Sequence, residues 1–141
     1  MAGKDPKLDL IASVPMFCRL GHRELEQVAQ LLDEVDIPAG RVLMRQGEHG
    51  DEMFIVVSGS FRIERDGRTI AERGAGTALG EIALLSKGPR TATITATEPS
   101  RLLVAGHREF HALMDDHPSV RMQVLEGLAT KIRALDEGGI H

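Results

Sequence analysis

Residues 79–92, "LGEIALLSKGPRTA", hold one carboxylate, Glu81, and one arginine, Arg90, on either side of a short apolar run. Glu81 follows Gly80 and Arg90 follows a Gly-Pro pair, so both charges lie where the backbone is expected to turn. Between them "GEIALLS" predicts a short helix, whose first backbone N–H groups have no helical partner and attract an anion. Arg90 adds a planar guanidinium that matches two phosphate oxygens. The stretch therefore predicts an anion site.

Glu81 restricts the kind of anion, because its carboxylate near the helix start would repel a free phosphate. A carboxylate there is favourable only when the ligand also carries hydroxyl donors, such as those of a ribose. The pair thus indicates a nucleotide-like ligand. Taken singly, each residue has an ordinary interpretation, a solvated acid at a turn and a surface arginine.

Residues 36–105, which surround this stretch, are rich in short β-prone runs. Asp66 and Gly67 lie between two such runs and predict a hairpin, since a primed turn requires positive φ. Short strands at this spacing predict a mainly β fold, an antiparallel sandwich or barrel, within a single domain of residues 1–141. The predicted strands are "RVLMRQG", "EMFIVVSG", "SFRIERDG", "RTIAERG", "TATITAT" and "RLLVAG".

Helices are predicted on both sides, in residues 1–35 and 106–141. The apolar stripe of the last helix, from Val120 to Leu135, is wide for a lone lid and favours a homodimer. In "GHRELEQVAQLLDEV" one apolar face is formed by Leu25, Val28, Leu31, Leu32 and Val35.

Charge and composition exclude several classes of function. The chain has 17 basic and 21 acidic residues and no basic block, which disfavours nucleic-acid binding. There are four Phe and no Trp or Tyr, too few for a base-stacking surface. No apolar run is long enough for a membrane span, and the N-terminus lacks a signal peptide, so a cytoplasmic protein is expected.

The residues that usually carry chemistry are sparse. The single cysteine, Cys18, excludes an internal disulfide, and its apolar neighbours predict a buried, inert thiol. His107, His111 and Asp115 have a spacing that could hold a metal, but a solvent-facing helix explains them more simply. No catalytic arrangement, cofactor site or metal site is predicted.

The segment "LGEIALLSKGPRTATITA" resembles the phosphate-binding cassette of the cyclic nucleotide-binding domain family, to which catabolite activator proteins and kinase A regulatory subunits belong. "IPAGRVLMRQGEHGDEMFIVVSGSFRI" is similar to the opening strands of the family, with Gly47, Gly50 and Gly59 at its turns. The resemblance implies an antiparallel jelly roll, or double-stranded β-helix, with an N-terminal helical segment and C-terminal hinge and lid helices.

The resemblance also implies roles for individual residues. Arg90 would pair with the cyclic phosphate, and Glu81 would accept from the ribose 2′-hydroxyl with the Gly80 amide nearby. Cyclic AMP is favoured, and Thr91 leaves cyclic GMP open. The remaining implied contacts are Ile82, the backbone amides of Ala83 and Thr91, and an apolar floor for the base formed by Ile70 and Ala71.

This sequence departs from the family pattern just before the cassette. Where the family usually has Gly-Asp-aromatic-Phe-Gly-Glu, the chain reads "GTALGE". Thr77 replaces the acid, while Ala78 and Leu79 replace the aromatic residues. The substitutions predict an aliphatic core beneath the cassette and a looser pocket.

The function expected from these features is a stand-alone, non-catalytic sensor that binds a cyclic nucleotide, moves its C-terminal helix and signals to an unknown effector. The start at Met1 favours a complete protein, and the end at His141 comes too soon for an appended helix-turn-helix. Two alternatives are a ligand-independent scaffold for dimerisation or docking, and a regulatory domain excised from a larger receptor.

Overall fold

The computed structural model describes residues 5–138, which divide into a helical unit and a β unit. Of the described residues, the helical unit comprises 5–31 and 111–138, and the β unit comprises 32–110. The helices are α1 (Pro6–Ala12), α2 (His22–Leu31), α3 (His107–Asp116) and α4 (Pro118–Gly138), with 3-10 helices at Pro15–Phe17 and Glu81–Leu84. The strands are β1 (Asp33–Ile37), β2 (Val42–Met44), β3 (His49–Gly50), β4 (Glu52–Ser58), β5 (Phe61–Arg65), β6 (Arg68–Arg73), β7 (Ala78–Leu79), β8 (Gly88–Pro89), β9 (Thr93–Ala96) and β10 (Ser100–Gly106).

The β unit is built from antiparallel strands, as predicted. One sheet has the order β1-β10-β4-β7, a second has the order β2-β9-β5-β6, and β3 pairs with β8 alone. The predicted hairpin is confirmed, with φ of 53° at Asp66 and 79° at Gly67 and with Arg65 opposite Arg68. The buried core contains Ile37, Met44, Phe54, Val56, Phe61, Leu79, Ile94, Ala96 and Leu102.

The core beneath the cassette is mainly aliphatic, in line with the prediction from "GTALGE", but it also contains two phenylalanines. Leu79 is 3% exposed and lies opposite Phe54 in the β4–β7 pairing. Phe61 of β5 belongs to the same cluster. Phenylalanines from β4 and β5 therefore complete this core, which the local sequence before the cassette does not reveal.

The boundary between α2 and β1 was also predicted wrongly. The helix ends at Leu31, and residues 33–37 form a strand instead of continuing the helix to residue 35. Val35 pairs with Leu102, and its side chain is 39% exposed. In "DEVDI" the apolar residues alternate, a period that fits the edge strand better than the helical face to which Val35 was assigned.

Within the helical unit, α4 packs against the 3-10 helix Pro15–Phe17. A side chain at Gly127 would come within 2.6 Å of the Met16 carbonyl oxygen, so this close approach requires glycine. Cys18 is exposed, which corrects the expectation of a buried thiol, because Met16 and Phe17 take the buried positions. In the described part of the chain, no helix is both long and apolar enough to cross a membrane.

Candidate ligand-binding site

A cavity of about 580 Å³ lies in the β unit beside the predicted cassette. Its wall consists of residues 78–83 and 86–92 together with Met44, Ile63, Arg65 and Ile94. Glu81 and Arg90, the two charged residues that the sequence singled out, thus face one cavity. Gly80, Ile82, Ala83 and Thr91 also line it, so six of the eight predicted contact residues are brought together.

The cassette turn is a single 3-10 turn, Glu81–Leu84, preceded by Gly80 in the left-handed region with φ of 71°. The Ala83 N–H donates to the Gly80 carbonyl at 3.0 Å, which closes the turn. A turn this short has only a small dipole, and one of its predicted donors already has an acceptor. Attraction for an anion must therefore come chiefly from Arg90.

The backbone of Arg90 is fixed by the segment that precedes β4. Its N–H donates to the Glu48 carbonyl at 2.8 Å, and its own carbonyl accepts from the Gly47 N–H at 2.8 Å. The β3–β8 pairing, Gly50 opposite Gly88, continues this ladder. The starting point of the Arg90 side chain is consequently set by hydrogen bonds rather than by a free loop.

Two glycines make room for the Arg90 guanidinium. A side chain at Gly80 would lie 2.6 Å from Arg90 Nη1, and one at Gly50 would overlap the Nε, Nη2 and Cζ atoms. Arg90 Nη2 also donates to the Glu52 carbonyl at 3.0 Å. Sequence analysis placed Gly50 at a turn, but its closeness to Arg90 depends on the β3–β8 pairing.

Burial lowers the pKa of Arg90, while the nearby carboxylates of Glu52 and Asp51 raise it to a smaller extent. An arginine remains protonated at neutral pH even so. Among residues 5–138, none of the salt bridges found involves Arg90. The guanidinium is thus a partly desolvated cation, which an anionic ligand would stabilise.

The predicted floor for a nucleobase does not lie in the cavity. Ile70 and Ala71 are on β6, outside the lining residues, and Ile70 is 49% exposed. Ile63 of β5, the cross-strand partner of Ala71, lines the cavity instead. Its place in the alternating run "SFRIERDG" is the signal that could have identified it.

Arg65, which lies two residues further along β5, was not predicted as a site residue. Arg65 lines the cavity, and its Nε donates to the Thr91 carbonyl at 3.0 Å. An arginine beside a hairpin turn resembles any surface arginine until the pairing of β5 with β9 is known.

The histidines of α3 do not lie on a solvent-facing helix as expected. Both His107 and His111 are half-buried, and His107 Nδ1 lies 2.9 Å from the Ala83 carbonyl oxygen. Within residues 5–138, no cluster of three His, Cys, Asp or Glu side chains suits a metal ion.

An antiparallel roll that holds an arginine and a carboxylate in one cavity defines a class of anion-binding domain. The family model described as "Cyclic nucleotide-binding domain" matches residues 34–117, more than half of the chain. The chain belongs to the cyclic nucleotide-binding domain family.

Three relatives illustrate the match. A cyclic nucleotide-gated potassium channel of Rhizobium etli is 37% identical over 79% of this chain and 31% of the channel. The N-terminal domain of a transcriptional regulator from Streptomyces coelicolor A3(2) has a TM-score of 0.84 at 29% identity, covering 92% of this chain and 94% of that one. The regulatory domain of Toxoplasma gondii PKA with cAMP has a TM-score of 0.73 at 28% identity, covering 96% and 55%. The chain spans about a third of the length of the Rhizobium etli channel, and 8% or less of that of some other curated relatives.

Proposed function

We propose that the chain binds a 3′,5′-cyclic nucleotide in the cavity beside the cassette and acts as a non-catalytic sensor. The observation that carries this proposal is the Arg90 guanidinium, which is packed against two glycines, partly desolvated and in none of the salt bridges found among the described residues. Cyclic AMP is the ligand we expect, with cyclic GMP as the second candidate. The solved Toxoplasma relative with cAMP supports this choice.

In this assignment Arg90 pairs with the cyclic phosphate and Glu81 accepts from the ribose 2′-hydroxyl. The backbone at Gly80, Ala83 and Thr91 adds polar contacts, with Ile82 beside them. Ile63 and Ile94 line the cavity and supply apolar contact for the base. Contact of the base with Ile70 and Ala71 stays a prediction, since neither residue lines the cavity.

Titration calorimetry with cyclic AMP, cyclic GMP and 2′-deoxy cyclic AMP tests the proposal. Glu81→Gln should weaken the affinity for cyclic AMP by about tenfold or more, which is the effect of one hydrogen bond to a charged group. The same substitution should change the affinity for the 2′-deoxy analogue little, because that ligand lacks the hydroxyl that Glu81 accepts from. Absence of heat with both nucleotides at millimolar concentration would contradict the proposal.

We further propose that the ligand changes the position of α4, which requires unequal affinity for two conformations of the protein. Spin labels at Thr69→Cys and Ala134→Cys, in a Cys18→Ser background, report the distance between the β5–β6 turn and α4. The distance distribution should shift when cyclic AMP saturates the site. An unchanged distribution would mean that the domain binds the ligand without a change in the position of α4.

A second copy of the chain is the partner that we propose for α4. Leu125, Ile132 and Leu135 are more than half exposed, and with half-buried Leu128 they follow the a and d spacing of a coiled coil. In a parallel pair, the a and d side chains of one helix would pack against those of the other.

The oligomeric state tests this partner. Ile132→Glu should shift the mass measured by sedimentation from dimer to monomer, while Ala134→Glu, off the a and d positions, should leave it unchanged. Equal masses for both variants would contradict a dimer through α4. A dimer that persists while neither nucleotide binds would favour the alternative function, a ligand-independent scaffold.

A further inference from the structure

The chain that follows Arg90 is held by three hydrogen bonds from other segments of the β unit. The Arg90 carbonyl accepts from the Gly47 N–H at 2.8 Å, and the Thr91 carbonyl accepts from Arg65 Nε at 3.0 Å. The Thr93 hydroxyl accepts from the Gln46 N–H at 3.0 Å. Consecutive peptide groups at the end of the cassette therefore have their orientations fixed from outside the cassette.

Arg65 extends from a tethered hairpin and not from a free loop end. At the turn, Gln46 Nε2 donates to Asp66 Oδ1 and the Asp66 N–H donates to Gln46 Oε1, both at 2.9 Å. These reciprocal bonds tie the β5–β6 turn to the segment that also holds Arg90. The backbone that carries the Arg65 side chain is therefore held in place by the tethered turn, and the end of the side chain is held by the Thr91 carbonyl.

The orientation of these peptide groups bears on ligand binding. In a trans peptide the N–H points opposite to the C=O, so the Gly47 bond to the Arg90 carbonyl directs the Thr91 N–H away from Gly47. The Arg65 bond to the Thr91 carbonyl fixes the next peptide group. Loss of that bond would let the chain beside the Arg90 side chain rotate.

We propose that Arg65 is a positioning residue for the cyclic nucleotide, acting through the Thr91 carbonyl to set the geometry of the cassette end. This inference rests on the proposed function. Arg65 also adds a positive charge to a wall that contains Lys87, Arg90 and Glu81. Its side chain is exposed, so salt screens that charge, and the hydrogen bond to Thr91 is the larger contribution.

The matched control is Arg68, which lies directly opposite Arg65 across the turn. Arg65→Met and Arg68→Met each remove one exposed arginine from the same hairpin, but only Arg65 lines the cavity and donates to Thr91. Arg65→Met should weaken cyclic AMP and cyclic GMP by the same factor, about fivefold to tenfold, as for one net hydrogen bond. Arg68→Met should leave both affinities unchanged.

Three further readouts separate positioning from other roles. The loss in Arg65→Met should persist at about 0.5 M salt, where a direct charge effect would be screened. Arg65→Lys should restore little of the affinity, since lysine keeps the charge but not the planar donor. In the ligand-free protein, the Arg65 Nε–H proton should exchange with water more slowly than that of Arg68.

Several results would overturn the proposal. These are equal affinities for the two methionine variants, a loss that disappears in salt and is rescued by lysine, or a changed ratio of cyclic AMP to cyclic GMP affinity. The last result would place Arg65 against the base. A wild-type protein that binds neither nucleotide would reject the proposed function itself, whereas slow Arg65 exchange would still report the hydrogen bond.

Discussion

Two arginines of the β unit, Arg90 and Arg101, have opposite surroundings. Arg90 is half-buried, donates to a backbone carbonyl and has its pKa lowered by burial. Arg101 is exposed on β10 and lies between two carboxylates of β1, 2.8 Å from Asp36 and 3.2 Å from Glu34. The hydrogen bond to Asp36 raises the pKa of Arg101.

The contrast shows how one chain keeps a cation available for a ligand. Arg101 is neutralised by its own protein, in an exposed network of the kind that contributes little to stability. Arg90 is packed against glycines and a carbonyl, which orient the guanidinium without cancelling its charge. Burial disfavours the charged form of Arg90 more than the nearby carboxylates of Glu52 and Asp51 favour it, so an anionic ligand would stabilise the guanidinium.

The largest effect expected from this contrast concerns ligand affinity. Arg90→Ala should weaken cyclic AMP at least about 100-fold, since it removes charge-assisted hydrogen bonds to the phosphate. Arg101→Ala, with the same loss of charge in the same unit, should leave the dissociation constant unchanged. Calorimetry measures both. Equal losses would mean that overall charge, and not the Arg90 site, attracts the ligand.

A smaller effect is expected when the guanidinium is displaced but not removed. Gly50→Ala would overlap only the end of the flexible Arg90 side chain, so the fold should tolerate it while Arg90 moves. The affinity for cyclic AMP should fall by about tenfold, because hydrogen bonds weaken steeply with misalignment. Gly74→Ala, outside the cavity wall, would meet only the Gly59 carbonyl oxygen at 3.6 Å, an ordinary contact, and serves as the control. The melting temperature of each variant shows whether folding is intact.

The smallest expected effect is on the stability of the fold, through the pH dependence of the Asp36–Arg101 ion pair. The Arg101 hydrogen bond lowers the pKa of Asp36 below its usual value, so this pair stabilises the fold above about pH 4 and loses that contribution as the pH falls through the folded pKa. Asp36→Asn should therefore be slightly less stable than wild type at pH 7.

The difference should be smaller at pH 2 than at pH 7, because the Asp36 carboxyl of the folded protein gains a proton as the pH falls through its folded pKa. Urea unfolding at both pH values measures this difference in stability between wild type and variant, with Asp33→Asn on the same strand as control. A difference that is the same at both pH values would show that the ion pair is not its source.

The sequence predicted those parts of the site that are close together in the chain. Gly80, Glu81 and Arg90 lie within one short stretch of the sequence, so their spacing alone indicated a shared anion site. Arg65 and Ile63 join the cavity only through the register of β5 on β9, which no local pattern specifies. The fold class was predictable for the same reason, since strand and turn signals are local.

The errors arose where tertiary contacts decide. Val35 fits either a helical face or an alternating strand, and pairing with Leu102 selects the strand. The contact of Ile70 and Ala71 with the base, implied by resemblance, stays a prediction, while the neighbouring strand places Ile63 at the cavity. A short apolar run fits both the helical and the strand period, and only its packing partners show which of the two structures forms.

The packing of Arg90 also limits how far this site can be transplanted. A graft of "LGEIALLSKGPRTA" onto another sheet would carry Gly80 and Arg90 but not Gly50, Glu52 or the Glu48 carbonyl that fixes the arginine backbone. Such a graft would contain the motif, but the side chain of its arginine would have no fixed orientation. The transferable unit is the cassette together with the strands from residue 47 to residue 52, and an engineered sensor would need both pieces in register.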